Sequence, residues 1–205
     1  MGELIMKKVL ICLFSVVVLF SLSGCSQATT IKVNCLNTDR ITLANTPNDL
    51  QQISDLIIVF TPRDQENVLM HYSDGNVSVG YTKTTGIVTK ILSGDILEGA
   101  EITITEECYT TNSGSELWTQ QGYLPMRIGE AYLLFLKEYS PESKYAGMYF
   151  PIDLEHGKYV LPIAATMTAN TSLNAEQLEV GPATDLSEYA EWYEAVCDLY
   201  PDLFY

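Results

Sequence analysis

Two uninterrupted apolar runs, Leu56-Ile57-Ile58-Val59-Phe60 and Ala131-Tyr132-Leu133-Leu134-Phe135-Leu136, set the strongest constraint on how this 205-residue chain folds. They are too short for core helices and long enough for strands with apolar neighbours on both faces. Between them Ile102 and Ile104 alternate with Thr103 and Thr105, the period of a strand with one buried face. His71–Asn76 reads as a hairpin turn through Asp74-Gly75. In the strand that follows, Val77, Val79, Tyr81, Ile87 and Ile91 share one parity and Ser78, Thr82 and Lys90 the other, which predicts the first set as its core face. Gly86 is the expected bulge or bend that lets this strand curl. Asn48–Ser54, after Pro47, forms a short helix capped by Thr46 or Asn48. Tyr109–Tyr123, rich in Thr, Ser, Gly and Gln, is a long loop or ragged hairpin. Tyr145–Phe150 and Lys158–Leu161 read as a closing hairpin that turns at His156-Gly157. Together these signals describe a mainly β fold, a small OB-like barrel or a sandwich.

The C-terminal part changes period. Leu186, Tyr189, Trp192, Val196 and Leu199 recur every three or four residues, an amphipathic helix from Asp185 to Leu199 ended by Pro201. Its other face carries Glu188, Glu191, Glu194 and Asp198, and no Lys or Arg follows Lys158. Residues 31–165 are therefore read as a β domain, and 166–205 as an acidic helical segment packed on it. The whole chain has 26 acidic and 11 basic side chains, a formal charge of −15, with no basic cluster. That balance argues against binding to nucleic acid phosphates without a bridging cation.

At the other end, Lys7 and Lys8 precede a 14-residue apolar stretch, Val9–Leu22, in which only two serines are polar. This is the pattern of a secretory signal and is short for a membrane span. Met6 is an alternative start that gives a cleaner basic segment. Leu22-Ser23-Gly24-Cys25 resembles the lipobox of bacterial lipoproteins. The resemblance implies cleavage between Gly24 and Cys25 and attachment of a diacylglyceryl group to the Cys25 thiol. Residues 1–24 are then a signal peptide and 25–30 a lipidated tether, holding the domain at the extracytoplasmic face of the cell membrane. Two acyl chains, palmitate among them, anchor far better than one, since each buried CH2 contributes about 0.8 kcal/mol.

The order of elements also resembles OB-like barrels of the netrin-like group, related to tissue inhibitors of metalloproteinases. The residues that carry it are Ser54-Asp55-Leu56-Ile57-Ile58-Val59, the long strand, the Ile102-Thr103-Ile104 strand with Cys108, and Gly129-Glu130-Ala131-Tyr132-Leu133-Leu134-Phe135. The resemblance spans roughly residues 35–137 and implies a fold only. Inhibitors of that group chelate zinc with a free amino-terminal cysteine, whereas Cys25 is expected to be lipidated. Their dense disulfide framework is also missing.

Of the five cysteines, Cys12 lies in the signal and Cys25 takes lipid, which leaves Cys35, Cys108 and Cys197. An odd count cannot pair fully within one chain. Cys108 shares the parity of Ile102 and Ile104, and Cys35 precedes the expected first strand, so Cys35–Cys108 is the candidate disulfide in an oxidising compartment, with Cys197 packed in the apolar stripe; the alternative is three buried thiols. No cysteine or histidine spacing suits a metal, and Gly94 and Gly99 fit no nucleotide fingerprint, so neither a metal nor another cofactor is expected. The acidic residues Asp95, Glu98, Glu101, Glu106 and Glu107 read as a solvated surface, with a weak Ca²⁺ site as the alternative although no D-x-D-x-D-G loop is present. His71 and His156 sit in expected turns, and Ser113 or Ser115 could serve a hydrolase, but no nucleophile motif positions them. Tyr109, Trp118 and Tyr123 in the polar loop are the candidate contact patch. The expectation is a non-catalytic binding module for an envelope protein or peptide, with an exported hydrolase as the competing class.

Overall fold

The computed structural model describes residues 31–36, 43–120, 122–161, 180–181 and 184–205, all within the unit Ile31–Tyr205. Gly24, Cys25, the tether 25–30 and residues 166–179 lie outside the described residues. The protein is mainly β. In chain order its strands are β1 (Lys32–Leu36), β2 (Leu56–His71), β3 (Val77–Ser93), β4 (Glu101–Glu106), β5 (Cys108–Thr111), β6 (Glu116–Gln120), β7 (Tyr132–Glu138), β8 (Tyr149–Pro151) and β9 (Lys158–Val160). The helices are α1 (Pro47–Ile53), α2 (Leu186–Leu199) and α3 (Pro201–Phe204).

One sheet runs β2-β3-β4-β8-β7-β9, and β2 also pairs with β7. The pairings β2-β3-β4-β8-β7-β2 therefore close on themselves, with β4 and β8 parallel and the other pairs antiparallel. This five-strand circuit has the connectivity of the expected OB-like barrel. The two apolar runs form its seam, from Leu56↔Leu136 to Phe60↔Tyr132. Both runs are apolar throughout because each face of the seam meets a different core. Ile57, Val59, Leu133 and Phe135 pack with Leu50, Tyr159, Tyr189, Tyr193, Val196 and Phe204 on the helix side. Leu56, Ile58, Phe60, Leu134 and Leu136 pack with Val88, Ile102, Ile104 and Met126 on the other.

The helical ends follow their capping chemistry. Thr46 accepts from the Asp49 amide at 3.2 Å, with Pro47 in the first turn. Asp185 accepts from the amides of Ser187 (2.9 Å) and Glu188 (3.3 Å). α2 buries Tyr189, Tyr193, Val196 and Cys197. The hydroxyls of Tyr189 and Tyr193 donate to the carbonyls of Lys158 (2.9 Å) and Val160 (3.3 Å), so the helix also satisfies β9.

Two expectations are corrected. The buried face of β3 is Thr82, Thr84, Gly86 and Val88, the parity opposite to the apolar set, while Val79 is 43% exposed. Threonine can line an interior when it finds acceptors, and Thr82 donates to the Cys108 carbonyl (2.8 Å) while Thr84 donates to Glu106. Second, β8 and β9 do not form a hairpin with each other. Both run along β7, β8 opposite Leu136–Glu138 and β9 opposite Tyr132–Leu134. Between them Asp153 and Leu154 adopt positive φ (51° and 53°), and the Asp153 carboxylate accepts from the amides of Leu43 and Ala44. Of the two readings of Tyr109–Tyr123, the hairpin is the one formed: β5 and β6 pair antiparallel, and β1, which contains Cys35, adds to β6 in parallel.

Gly86 does sit at the curl. It faces Pro62, where the β2–β3 register shifts between Pro62 and Asp64. A β-carbon there would collide with the Thr61 carbonyl and stand 2.5 Å from the Phe60 ring and 2.9 Å from the Pro62 Cα. Gly86→Ala is therefore expected to destabilise the fold by about 2–3 kcal/mol, as overpacking does. Thermal unfolding should show a midpoint lowered by roughly 5–10 °C.

Candidate contact surface and its buried support

Glu106 ends β4 and is completely buried. It has the parity of Ile102 and Ile104, so it points inward with them. A buried carboxylate is costly unless its lone pairs are filled. Here one oxygen accepts from the Tyr123 hydroxyl at 2.7 Å and the Met126 amide at 2.8 Å. The other accepts from Thr84 and from the Gln65 amide at 3.3 Å. Gln65 also donates to the Met126 carbonyl at 2.7 Å. The buried Lys158 ammonium lies 4.6 Å from the centre of the Tyr123 ring and 5.7 Å from that of Tyr132, and it donates to the Leu124 carbonyl. An aromatic face is a favourable place for a desolvated cation. Burial, reinforced by the Glu106 charge, pushes the Tyr123 phenol well above its ordinary value, which keeps it a donor.

Tyr123 is thus not part of an exposed patch. It has no exposed surface, its carbonyl accepts from Thr119 of β6, and it bridges to Val180. It locks the β5–β6 hairpin to the barrel. Cys108, Leu117, Tyr123 and Leu154 form a small core beneath that hairpin.

Tyr109 and Trp118 do come together. They are cross-strand partners, half-buried, with nearly parallel rings (7°) and centroids 6.3 Å apart. The Trp118 indole donates to the Thr111 hydroxyl at 3.0 Å, and the Tyr109 ring lies over Gly80, where a β-carbon would overlap it. Asn67 of β2 clasps the hairpin by exchanging two bonds with the Thr110 backbone, at 2.9 and 2.8 Å. At the hairpin tip Asn112 and Ser113 both adopt positive φ (51° and 56°). A second aromatic group stands on the far side of β3. Tyr145 meets Tyr81 edge-on at 5.3 Å and Tyr139 at 4.9 Å, and Tyr139 meets Phe150 at 4.7 Å. The sequence reading missed this group because Tyr139 and Tyr145 lie on a loop far from Tyr81 in the chain.

The expected Cys35–Cys108 disulfide is not formed, and Cys35, Cys108 and Cys197 are all free thiols. Both Cys35 and Cys108 are partners of Thr119, on opposite sides of β6. Two strand spacings separate them, about 9.5 Å, beyond what a disulfide spans. The acidic group is also divided, since Asp95, Glu98, Glu101 and Glu107 are exposed while Glu106 is internal. Among the described residues no three His, Cys, Asp or Glu side chains converge as for a metal ion. His71 ends β2 in solvent, and His156 stacks on Trp192 of α2 at 4.3 Å. Ser113 and Ser115 sit at the hairpin tip, where Ser115 donates to the Asn112 carbonyl. No family model, curated protein or solved structure matches this chain significantly.

Three outcomes follow from this geometry. Glu106→Ala leaves Tyr123, Met126 and Thr84 without their shared acceptor and should cost roughly 3–5 kcal/mol in urea unfolding, the range for breaking a buried charge network. Tyr123→Phe removes one donor of four and should cost about 1–3 kcal/mol. Burial, with the Asp198 and Glu194 charges, pushes the Cys197 thiol up to about 12, and burial also raises Cys108. At pH 8 almost none of Cys197 is therefore thiolate. Mass spectrometry after iodoacetamide treatment should therefore find half-buried Cys35 modified in the native protein, and Cys108 and Cys197 only after unfolding.

Proposed function

We propose that this chain is an exported lipoprotein, anchored through Cys25, whose β domain is a non-catalytic binding module for a protein or peptide of the cell envelope. The observation that carries the binding reading is the parallel Tyr109–Trp118 pair, partly buried on a hairpin fixed to the barrel. Aromatic pairs held rigid before binding are efficient anchors, because little side-chain entropy is lost on contact. The support beneath them points the same way. A buried network in which Glu106 accepts from four donors ties the hairpin down without itself presenting a reactive group to solvent.

Both halves of the proposal have direct tests. Metabolic labelling with a palmitate analogue should mark the wild type and leave Cys25→Ala unlabelled, and inhibition of lipoprotein signal cleavage should raise the mature mass. Equal labelling of Cys25→Ala would refute the anchor. For binding, crosslinking in whole cells should recover a discrete partner with the wild type. Trp118→Ala and Tyr109→Ala should each cut that yield by about tenfold or more, the scale of a contact hot spot. Crosslinks indifferent to both substitutions would place the contact elsewhere.

A further inference from the structure

The chain between Cys25 and the domain is short, and the fold fixes what lies at its end. Six residue steps separate Cys25 from Ile31, so Ile31 can stand no more than about 20 Å from the Cys25 thiol. That reach is a covalent limit and holds for any path of the tether. The Lys32 amide donates to the Ser115 carbonyl at 3.0 Å, and Lys32 stands opposite Glu116. β1 therefore begins against the tip of the β5–β6 hairpin, Asn112–Ser115. Ile31, Lys32 and that tip form one corner of the domain.

The surface of this corner differs from the acidic remainder. Ile31 is 52% exposed, the Lys32 side chain 67%, and Asn112, Ser113 and Gly114 are all exposed. None of residues 26–38 or 108–115 is acidic. Glu116, the next acid along the hairpin, lies 3.7 Å from the Lys32 ammonium. By contrast α2 exposes Glu188, Glu191, Glu194 and Asp198 and carries no base. Lipid phosphates repel a face of that kind and attract an ammonium. An exposed isoleucine side chain gains by leaving water at the acyl boundary. Reach, charge and apolar exposure converge on the same corner.

We infer that the corner of Ile31, Lys32 and Asn112–Ser115 rests on the lipid headgroups of the membrane that holds Cys25. Lys32 meets the phosphates and Ile31 enters the acyl boundary. This rests on the lipid-anchor reading and adds to it the orientation of the domain. A tether alone leaves the domain free to turn, whereas this contact fixes which end faces the bilayer. The Tyr109–Trp118 pair lies two residues beyond Thr111↔Glu116 along the same strands, about 7 Å from the tip. A partner therefore meets that pair close to the membrane surface.

The test uses the acylated protein purified from cells, its acyl group verified by mass, in nanodiscs of equal parts phosphatidylcholine and phosphatidylglycerol. A gadolinium chelate on some headgroups broadens the NMR signals of nearby amides. Broadening should be strongest at Ile31, Lys32 and 112–115 and weak along α2 and at the Tyr72–Asn76 turn. Ile31→Ser combined with Lys32→Gln should cut it at 112–115 by about fivefold, the scale of one basic residue at a lipid surface. Both side chains are more than half exposed, so that variant should keep the wild-type thermal midpoint. A glycine-serine insert between Thr30 and Ile31 should leave the pattern in place, since contact rather than tether length produces it. Three patterns would overturn the inference while the acyl mass upholds the anchor: even broadening, broadening at Ile31 and Lys32 that spares 112–115, or a maximum at α2 or Tyr72–Asn76. A double variant that broadens like the wild type, or a pattern lost on lengthening the tether, would overturn it equally. Purified protein without the acyl mass would overturn the anchor and the inference together.

Discussion

The Glu106 carboxylate is the contact on which the arrangement of the two sheets depends. It sits at the end of β4, where the chain leaves the barrel for the β5–β6 hairpin. Its four donors come from β2 (Gln65), β3 (Thr84) and the segment that returns from the hairpin (Tyr123 and the Met126 amide). An apolar side chain at this position could fill space but could not fix direction. A carboxylate with all its donors in place specifies where each strand must lie, because any displacement strands a buried polar atom. Lys158, lying over the Tyr123 ring, adds a positive charge to the same interior and extends the network to β9. The hairpin is thus positioned by a polar interior, and the aromatic pair on its surface inherits that positioning.

The sequence carried the scaffold better than the site. The apolar runs at 56–60 and 131–136 identify the barrel seam because burial on both faces leaves no other composition available. The α2 stripe and the Thr46-Pro47 cap are equally plain, since they obey local geometry. The face of β3 was illegible for a definite reason. Hydrophobicity assigns Val77, Val79 and Tyr81 inward, but Thr82 and Thr84 are buried because acceptors from β4 and the chain just beyond it await them. Such partners are distant in sequence, and no period reveals them. Glu106 could have been found. It continues the parity Ile102, Ile104, Glu106, Cys108, and a charge on a buried parity is a signal of an internal partner rather than of a solvated surface.

The same reasoning explains the fate of the candidate patch. Tyr109, Trp118 and Tyr123 are all aromatic residues of one polar segment, yet strand pairing separates them. Tyr109 and Trp118 are directly opposed in register. Tyr123 lies past the end of β6, where the chain dives back toward the barrel, and its hydroxyl goes to Glu106. The cysteines were misjudged by the same missing fact. Once β1 is known to pair with β6 on the side away from β5, Cys35 and Cys108 are separated by an intervening strand and cannot bond.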